Sequence, residues 1–534
     1  MHRKSTHIIH RQVLDLNLPA SVFPPEAQQR FKSSFFESLP DVENVFSSFD
    51  DPEQIIRIDK IMLDLGVISY DRVDELFSSS LCSALSKALR DTAIVQKPNA
   101  LKNKNYFKSE ENDHKTNRHP SRPLRSDDVS SYDLEEGSVS FFTPAEKVRR
   151  AFIYFLVNGV DPWWMTETQD KEINLVYLPV VENAHSSFIY ELKRLLVTNN
   201  NALTRLLYQF SGNFKQKLLA LLRQQMNAEL IRFEELFSEV VMLCSKALRQ
   251  QQIKKYTSKE WYLFHLLLTN EKEGAITIII QYIADVFKKD RAAQIVVNGW
   301  LEKEPWIFGD RIEKQKFYTL LACCIEKQGG SLSLVHENTP EKQRVVKNET
   351  ISVEEKESLV VLDEPIEDFI YVSHGGLVLL HPFLTIFFST FGLLNDQKKF
   401  KDEASKIKAV HLLAFLGTGK TNLVESELPF CKFLCGIPIE QAIPRRVRIR
   451  QFERMEGVAL LKAAIQHWSA LKNTSPDGLR EAFLTRKGKL DFREEIPALY
   501  MEGMAHDVLL EGLPWGIGYV QLPWMTTAFN TIWI

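Results

Sequence analysis

Hydrophobic positions over the first 92 residues switch between two periods. HIIHRQVLDLNL (7–18) partly alternates, with Ile8, Leu14, Leu16 and Leu18 on one face, which predicts a strand. PPEAQQRFKSSFFESL (24–39) sets a proline just inside a helix start and places Phe31, Phe35 and Leu39 at i, i+4, i+8. The order then repeats. IIRIDKIMLDLGVI (55–68) alternates through Ile61, Leu63 and Leu65, and a helix over 70–92 carries Val73, Phe77, Leu81 and Leu85 four apart. Residues 1–95 thus read as a small α+β module whose two strands pair.

Periodicity stops at 96–140, a run of Lys, Asn, Ser, Asp and Glu that reads by composition as a disordered linker. It resumes at 141–327 as a helical domain. Thr143 and Pro144 supply an N-cap and first helical residue, Ile153, Leu156 and Val157 continue an apolar face, and NGVDPWW (158–164) ends that helix. Helical spacing recurs over 184–197, 201–210, 213–225, 228–250, 258–269, 273–288, 291–302 and 311–327, with short connections and no repeated motif. A second polar linker, 328–357, leads to a mainly helical C-terminal domain, 358–534, with helices over 376–392, 401–416, 427–435, 452–472, 476–486 and 500–510. Ser475-Pro476-Asp477 is a helix start: hydroxyl cap, pre-set proline, and an acid at the positive dipole end. The aromatic end YVQLPWMTTAFNTIWI predicts one or two closing strands. The fold class is mainly α: a small α+β N-terminal module, a multi-domain helical array, and a C-terminal helical domain closed by short β-strands.

Composition narrows the chemistry. At 534 residues with 44% hydrophobic, the chain is long enough for several cored domains. A net charge of −3 lacks the basic footprint of a polyanion binder, so no nucleic acid partner is expected. Six irregularly spaced cysteines read as reduced thiols. The N-terminus has no apolar h-region or cleavage site, so no signal peptide is expected. LVLLHPFLTIFFSTFGLL (377–394) has the length of a membrane span, but His381-Pro382 and Ser389, Thr390 and Gly392 interrupt it; a buried helix is the preferred reading.

Candidate chemistry is sparse. GTGKT (417–421) resembles a phosphate loop, yet Ala414 stands where its first glycine belongs and a helix, not a strand, precedes it; Gly417 and Gly419 suit a helix C-cap. Cys431 and Cys435 could share a metal only if His374, His381 or His411 came close, and two small buried hydrophobes are the simpler reading. Glu502, His506 and Asp507 form an acid–base pattern with no nucleophile motif beside it. Trp515, Trp524 and Trp533, with Pro514 and Pro523, are either domain core or anchors for a partner. No catalytic residue, cofactor, metal site or small-molecule substrate is assigned.

Four ordered blocks carry a resemblance: VSHGGLVLLHPFL, AVHLLAFLGTGK with ELPFCKFLCGIPI, IQHWSALKNTSPDGLREAFLTRKGKL, and DVLLEGLPWGIGYVQLPWM. They resemble the contractile injection system tape measure proteins of phage-tail-like particles, as do the opening strands and FLVNGVDPWW. Gly375-Gly376 departs from the alanine–glycine pair expected there, and the middle is shorter than in many relatives. The resemblance implies a non-enzymatic assembly component that controls tube length. Its partners would be inner tube, spike or baseplate proteins, in the cytoplasm during assembly or within the finished particle. A nucleotide-driven assembly ATPase using Lys420 and a membrane-associated adaptor using 377–394 are the rival readings.

Overall fold

The computed structural model describes, apart from short gaps, residues 7–100, 139–165, 172–224, 259–287 and 368–533, with scattered positions between 230 and 241. The 328–357 linker, the helices expected over 291–302 and 311–327, and most of 96–140 lie outside the described residues. Two compact units emerge, Met1–Lys147 and Val148–Ile534.

In the first unit, α1 (Pro24–Ser47) and α2 (Val73–Ala100) pack along each other. The α2 stripe is the expected one, since Val73, Phe77, Leu81 and Leu85 are all buried. The α1 stripe is rotated. Its buried residues are Ala27, Phe31, Ser34, Ser38 and Val42, while Phe35 is half-buried and Leu39 lies 37% exposed. The cause is polar. Arg30 grips Asp74 at 2.6 Å, and the Ser34 hydroxyl lies 3.1 Å from the same carboxylate, so these residues turn toward α2 in place of Leu39. The expected pairing of two early strands is corrected. β1 (Ile55–Ile58) pairs antiparallel with β2 (Val139–Phe142), Ile55 opposite Phe142, at the end of the stretch expected as linker. VSFF is a β-branched and aromatic run able to complete that pair. Residues 12–18 form no strand, and their Leu16 and Leu18 pack as irregular chain onto the helix pair.

In the second unit, α3 (Pro144–Asn158), α4 (Ile173–Glu182), α5 (Ser186–Thr198), α6 (Asn200–Gln209), α7 (Gly212–Gln224), α8 (Lys259–Leu268) and α9 (Lys272–Phe287) enclose one apolar core. Thr143 caps α3 as expected, its hydroxyl accepting from the Glu146 amide at 3.2 Å. The signature blocks build a second core. Residues Gly375–Leu380 form a 3₁₀ turn, followed by α10 (His381–Thr390), α11 (Glu403–Thr418), α12 (Pro429–Leu434) and α13 (Gln451–His467). These pack with a five-stranded sheet of order β3-β4-β5-β7-β6: β3 (Phe369–Val372), β4 (Gly488–Asp491), β5 (Ala498–Met501), β6 (Tyr519–Val520) and β7 (Phe529–Trp533). Only the β5–β7 pairing is parallel. The sheet exceeds the one or two closing strands expected, and β5 occupies the start of the helix expected over 500–510. Among the described residues no helix is long and apolar enough to cross a membrane.

The glycine pair after His374 shows how tightly the blocks interlock. A Cβ at Gly376 would stand 1.7 Å from the Phe483 carbonyl oxygen, and that backbone has nowhere to go. At Gly375 the nearest atom is the Met501 sulfur, 2.6 Å away at the end of a flexible side chain. The alanine–glycine pair of the resemblance can therefore be accommodated by a small shift of the Met501 side chain. Gly376→Ala is expected to abolish or severely weaken folding of the second unit, whereas Gly375→Ala should cost about 1 kcal/mol or less, measured by chemical denaturation of the two variants.

Candidate functional site

The phosphate-loop-like run is a helix terminus. α11 carries through Ala414 and Gly417 to Thr418, and Gly419 closes it in the left-handed region at φ 73°, its N–H donating to Phe415 O at 2.8 Å. Arg480 occupies the end of that helix. Its Nε donates to Leu416 O at 3.0 Å, its Nη1 pairs with Asp477 at 2.6 Å, and its guanidinium lies over the Phe415 ring. A helix C-terminus carries partial negative charge and a phosphate cradle needs the opposite. Lys420 projects into solvent beside it. Ser475 caps the short helix Pro476–Leu479 as expected, accepting from the Gly478 amide at 3.0 Å.

The remaining candidates are also tied into structure. Cys431 and Cys435 are fully buried on and just after α12, and burial pushes both thiols up, away from the thiolate a metal needs. Among the described residues no group of three His, Cys, Asp or Glu side chains is placed to hold a metal. Glu502, His506 and Asp507 are organised by an arginine the sequence reading did not single out. Buried Arg486 grips Asp507 with two bonds, 2.8 and 2.9 Å, donates to the Glu502 carbonyl, and lies over the Trp533 ring at 5.3 Å. His506 Nε2 donates to Ala482 O at 2.8 Å, and the Glu502 side chain is exposed. Arg486 holds the Asp507 carboxyl below its usual range.

The tryptophans do not cluster; each fastens a different junction. Trp524 donates to Leu434 O at 2.8 Å and packs between Phe388 and Phe400. Trp515 donates to Leu379 O at 3.0 Å and meets Phe383 edge-on. Trp468, inside the third signature block, is fully buried and donates to Leu509 O at 2.9 Å. Each ring fills a core while its single N–H satisfies a carbonyl.

The most demanding site joins the two cores of the second unit. Arg205 on α6, Glu425 and Lys432 are all at 0–1% exposure. Glu425 Oε1 accepts from Arg205 at 3.2 Å and Lys432 at 2.5 Å, and its Oε2 accepts from Gln209 Nε2 at 3.2 Å. Lys432 spends its other two donors on Ile439 O and Gln441 O, both at 2.8 Å. Arg205 reaches back to Leu156 O and Val157 O at the end of α3 and across to Glu440 O. Burial draws the Arg205 and Lys432 pKa values down, and Glu425 opposes it. Gly159, the glycine of FLVNGVDPWW, makes room: at φ 75° its Cβ would sit 2.7 Å from Arg205 and 2.8 Å from Glu425. Its sequence signal was Lys432, the one charge in LPFCKFLCGIPI, and it was not read.

Two histidines of the signature domain are also buried. Burial, with Lys420 nearby, pushes His374 down to about 4, and among the described residues neither ring nitrogen has a partner in hydrogen-bond geometry. Burial pushes His411 down to about 4 too, although its Nε2 donates to Pro444 O at 2.8 Å. His381 bonds Val378 O and does not join them in a ligand set.

Arg205, Lys432, Arg480, Arg486 and the three indoles all hold backbone segments together by donating to main-chain carbonyls. The sequence model of the contractile injection system tape measure proteins matches residues 6–533, so the chain belongs to that family. The match takes in the middle of the chain as well as the signature blocks, and the family is one of structural components of contractile injection systems. Comparison with curated proteins and with solved structures gave no match.

Glu425→Ala leaves two buried cations facing each other and is expected to cost about 3–5 kcal/mol, seen as a lowered denaturation midpoint of the second unit. For His374 and His411 the unfolded chain binds protons that the folded chain refuses, so stability is complete above about pH 6.5 and falls as pH drops toward 4, by on the order of 3 kcal/mol per histidine. Denaturation midpoints between pH 7 and 4.5 should show this slope, and His374→Leu should remove about half of it.

Proposed function

We propose that this chain is a non-enzymatic assembly component that controls tube length in a contractile injection particle, docking its folded second unit on inner tube, spike or baseplate proteins. The observation that carries this reading is the family match over 6–533, nearly the whole chain. The commitment of Arg480, Arg486, Glu425 and the tryptophans to internal bonds supports it, because a scaffold requires a fixed shape and no reactive group.

A ruler works by converting residue count to distance. As one helix the chain would span roughly 800 Å, but its Gly, Pro and polar breaks forbid that. Packed compactly, a chain of this size has a radius of gyration of roughly 24 Å, too wide for a narrow lumen. Between α2 and β2 the polar run 101–138 could reach about 130 Å if drawn out with β2 released from β1. Threading this run while the second unit stays docked leaves the buried ion network intact; passing the whole chain through a tube would break it. The site of action is then the assembling particle in the cytoplasm.

Imaging of particles made with 96–140 lengthened or shortened tests this. Tube length should change in proportion to the residues added or removed, by at most about 3.5 Å per residue. Deletion of the chain should give few particles or particles of scattered length, and unchanged lengths in both experiments would end the reading. Lys420→Ala should assemble with normal lengths, which electron micrographs of the variant particles would establish; loss of assembly together with ATP binding by the wild type would restore the nucleotide alternative.

A further inference from the structure

The segment that leads into α13 and forms its first turn, RVRIRQFER (446–454), concentrates positive charge. It holds Arg446, Arg448, Arg450 and Arg454 against a single acid, Glu453, in a chain whose net charge is −3. Burial alternates along it: Arg446, Arg448 and Arg450 are exposed, Val447 is half-buried and Ile449 is buried. That period of two is an extended backbone with its arginines on one side, about 6.6 Å apart.

The backbone of the strip is fastened from beneath. His411 Nε2 holds Pro444 O at 2.8 Å, Lys408 donates to Arg448 O, and the Arg450 amide donates to Glu453 at 2.6 Å. Lys408 and Glu453 also pair with each other at 2.7 Å, so the one nearby buried acid is already used. Arg446 touches the neutral Asn422 amide at 3.2 Å. Among the described residues none of the four arginines forms an ion pair, although the exposed Glu456 follows on α13. Four guanidinium groups are thus presented at fixed spacing with little ordering left to do on binding.

Exposed apolar side chains follow directly on α13. Phe452 is 48% and Met455 64% exposed, one turn apart on α13, and Phe391 holds the Phe452 ring edge-on at 5.8 Å. Arginine, aromatic residues and methionine are the types enriched in protein–protein interfaces. A phosphate backbone would engage the arginines and leave Met455 without a partner, so the mixture favours protein over nucleic acid.

We propose that Arg446, Arg448, Arg450 and Arg454, with Phe452 and Met455, form the face through which the second unit docks on an acidic surface of another particle protein. The arginines meet carboxylates spaced along a strand or a helix face, and Phe452 and Met455 enter an apolar patch between them. This inference rests on the assembly role proposed above and names its contact.

A photo-crosslinking phenylalanine analogue at position 452 of the full chain, co-expressed with the tube, spike and baseplate proteins, tests it. The expected product joins position 452 to an Asp/Glu-rich segment of one of those proteins. Its yield should fall at least tenfold in R448E/R450E, persist in R448K/R450K, and drop between 0.05 and 0.5 M salt, about the range over which surface charge is screened. Thermal melting checks that each variant folds, and the lysine variant and salt series decide the matter if R448E/R450E does not. No crosslink, a crosslink to nucleic acid, or a yield indifferent to charge and salt overturns the proposal. Particles unchanged on deletion of the chain would instead sink the assembly role, so the two failures are told apart.

Discussion

A single buried carboxylate holds the second unit to its shape. Glu425 receives Arg205 and Gln209 from α6 and Lys432 from α12, and those groups in turn reach the ends of α3 and the loop 439–443. The two apolar cores on either side supply most of the burial energy but are non-directional; greasy surfaces could slide. A dense polar knot in a dry environment cannot, because any shifted arrangement leaves a charge uncompensated. The neighbouring sequence has yielded to it. Gly159 is glycine because Arg205 and Glu425 fill the space where a side chain would begin.

The same device recurs at smaller scale through the signature domain. Arg480 fastens the end of α11, Arg486 fastens Asp507 and lies over Trp533, and three indoles and three imidazoles cap isolated carbonyls. Several of these ties join segments 41 to 136 residues apart, so the signature blocks meet as one interlocked body. Such a body suits a component that must present surfaces at fixed geometry to a large assembly, and it fits membership in the tape measure family.

Local physics was legible and long-range physics was not. The α2 stripe, the Thr143 and Ser475 caps and the Gly419 terminus of α11 follow from residues within a turn or two, and periodicity found them. α4 was overlooked because Pro179 and its β-branched neighbours mask a helical spacing that Ile173, Tyr177, Val180 and Val181 do show once folded. β2 was hidden at the end of a polar run, and β3, β4 and β5 are four-residue strands too short for alternation to declare itself. Leu39 shares the helical spacing of Phe31 and Phe35 yet stays partly exposed, because apolarity alone does not reveal that Ser34 is drawn inward by Asp74. The Glu425 knot was out of reach for a plainer reason: Arg205 and Glu425 are 220 residues apart. On its own helix Arg205 reads as one more solvated charge.

Hydrogen exchange on the Arg205→Met variant tests the central claim, that this knot makes the middle helices and the signature domain one cooperative body. Amides of α6 and of α11 and α12 should lose protection together and by similar factors, although the substitution lies only on α6. Loss confined to α3 and α6, with the signature domain as protected as in the wild type, would show two independent domains merely in contact and would contradict the account.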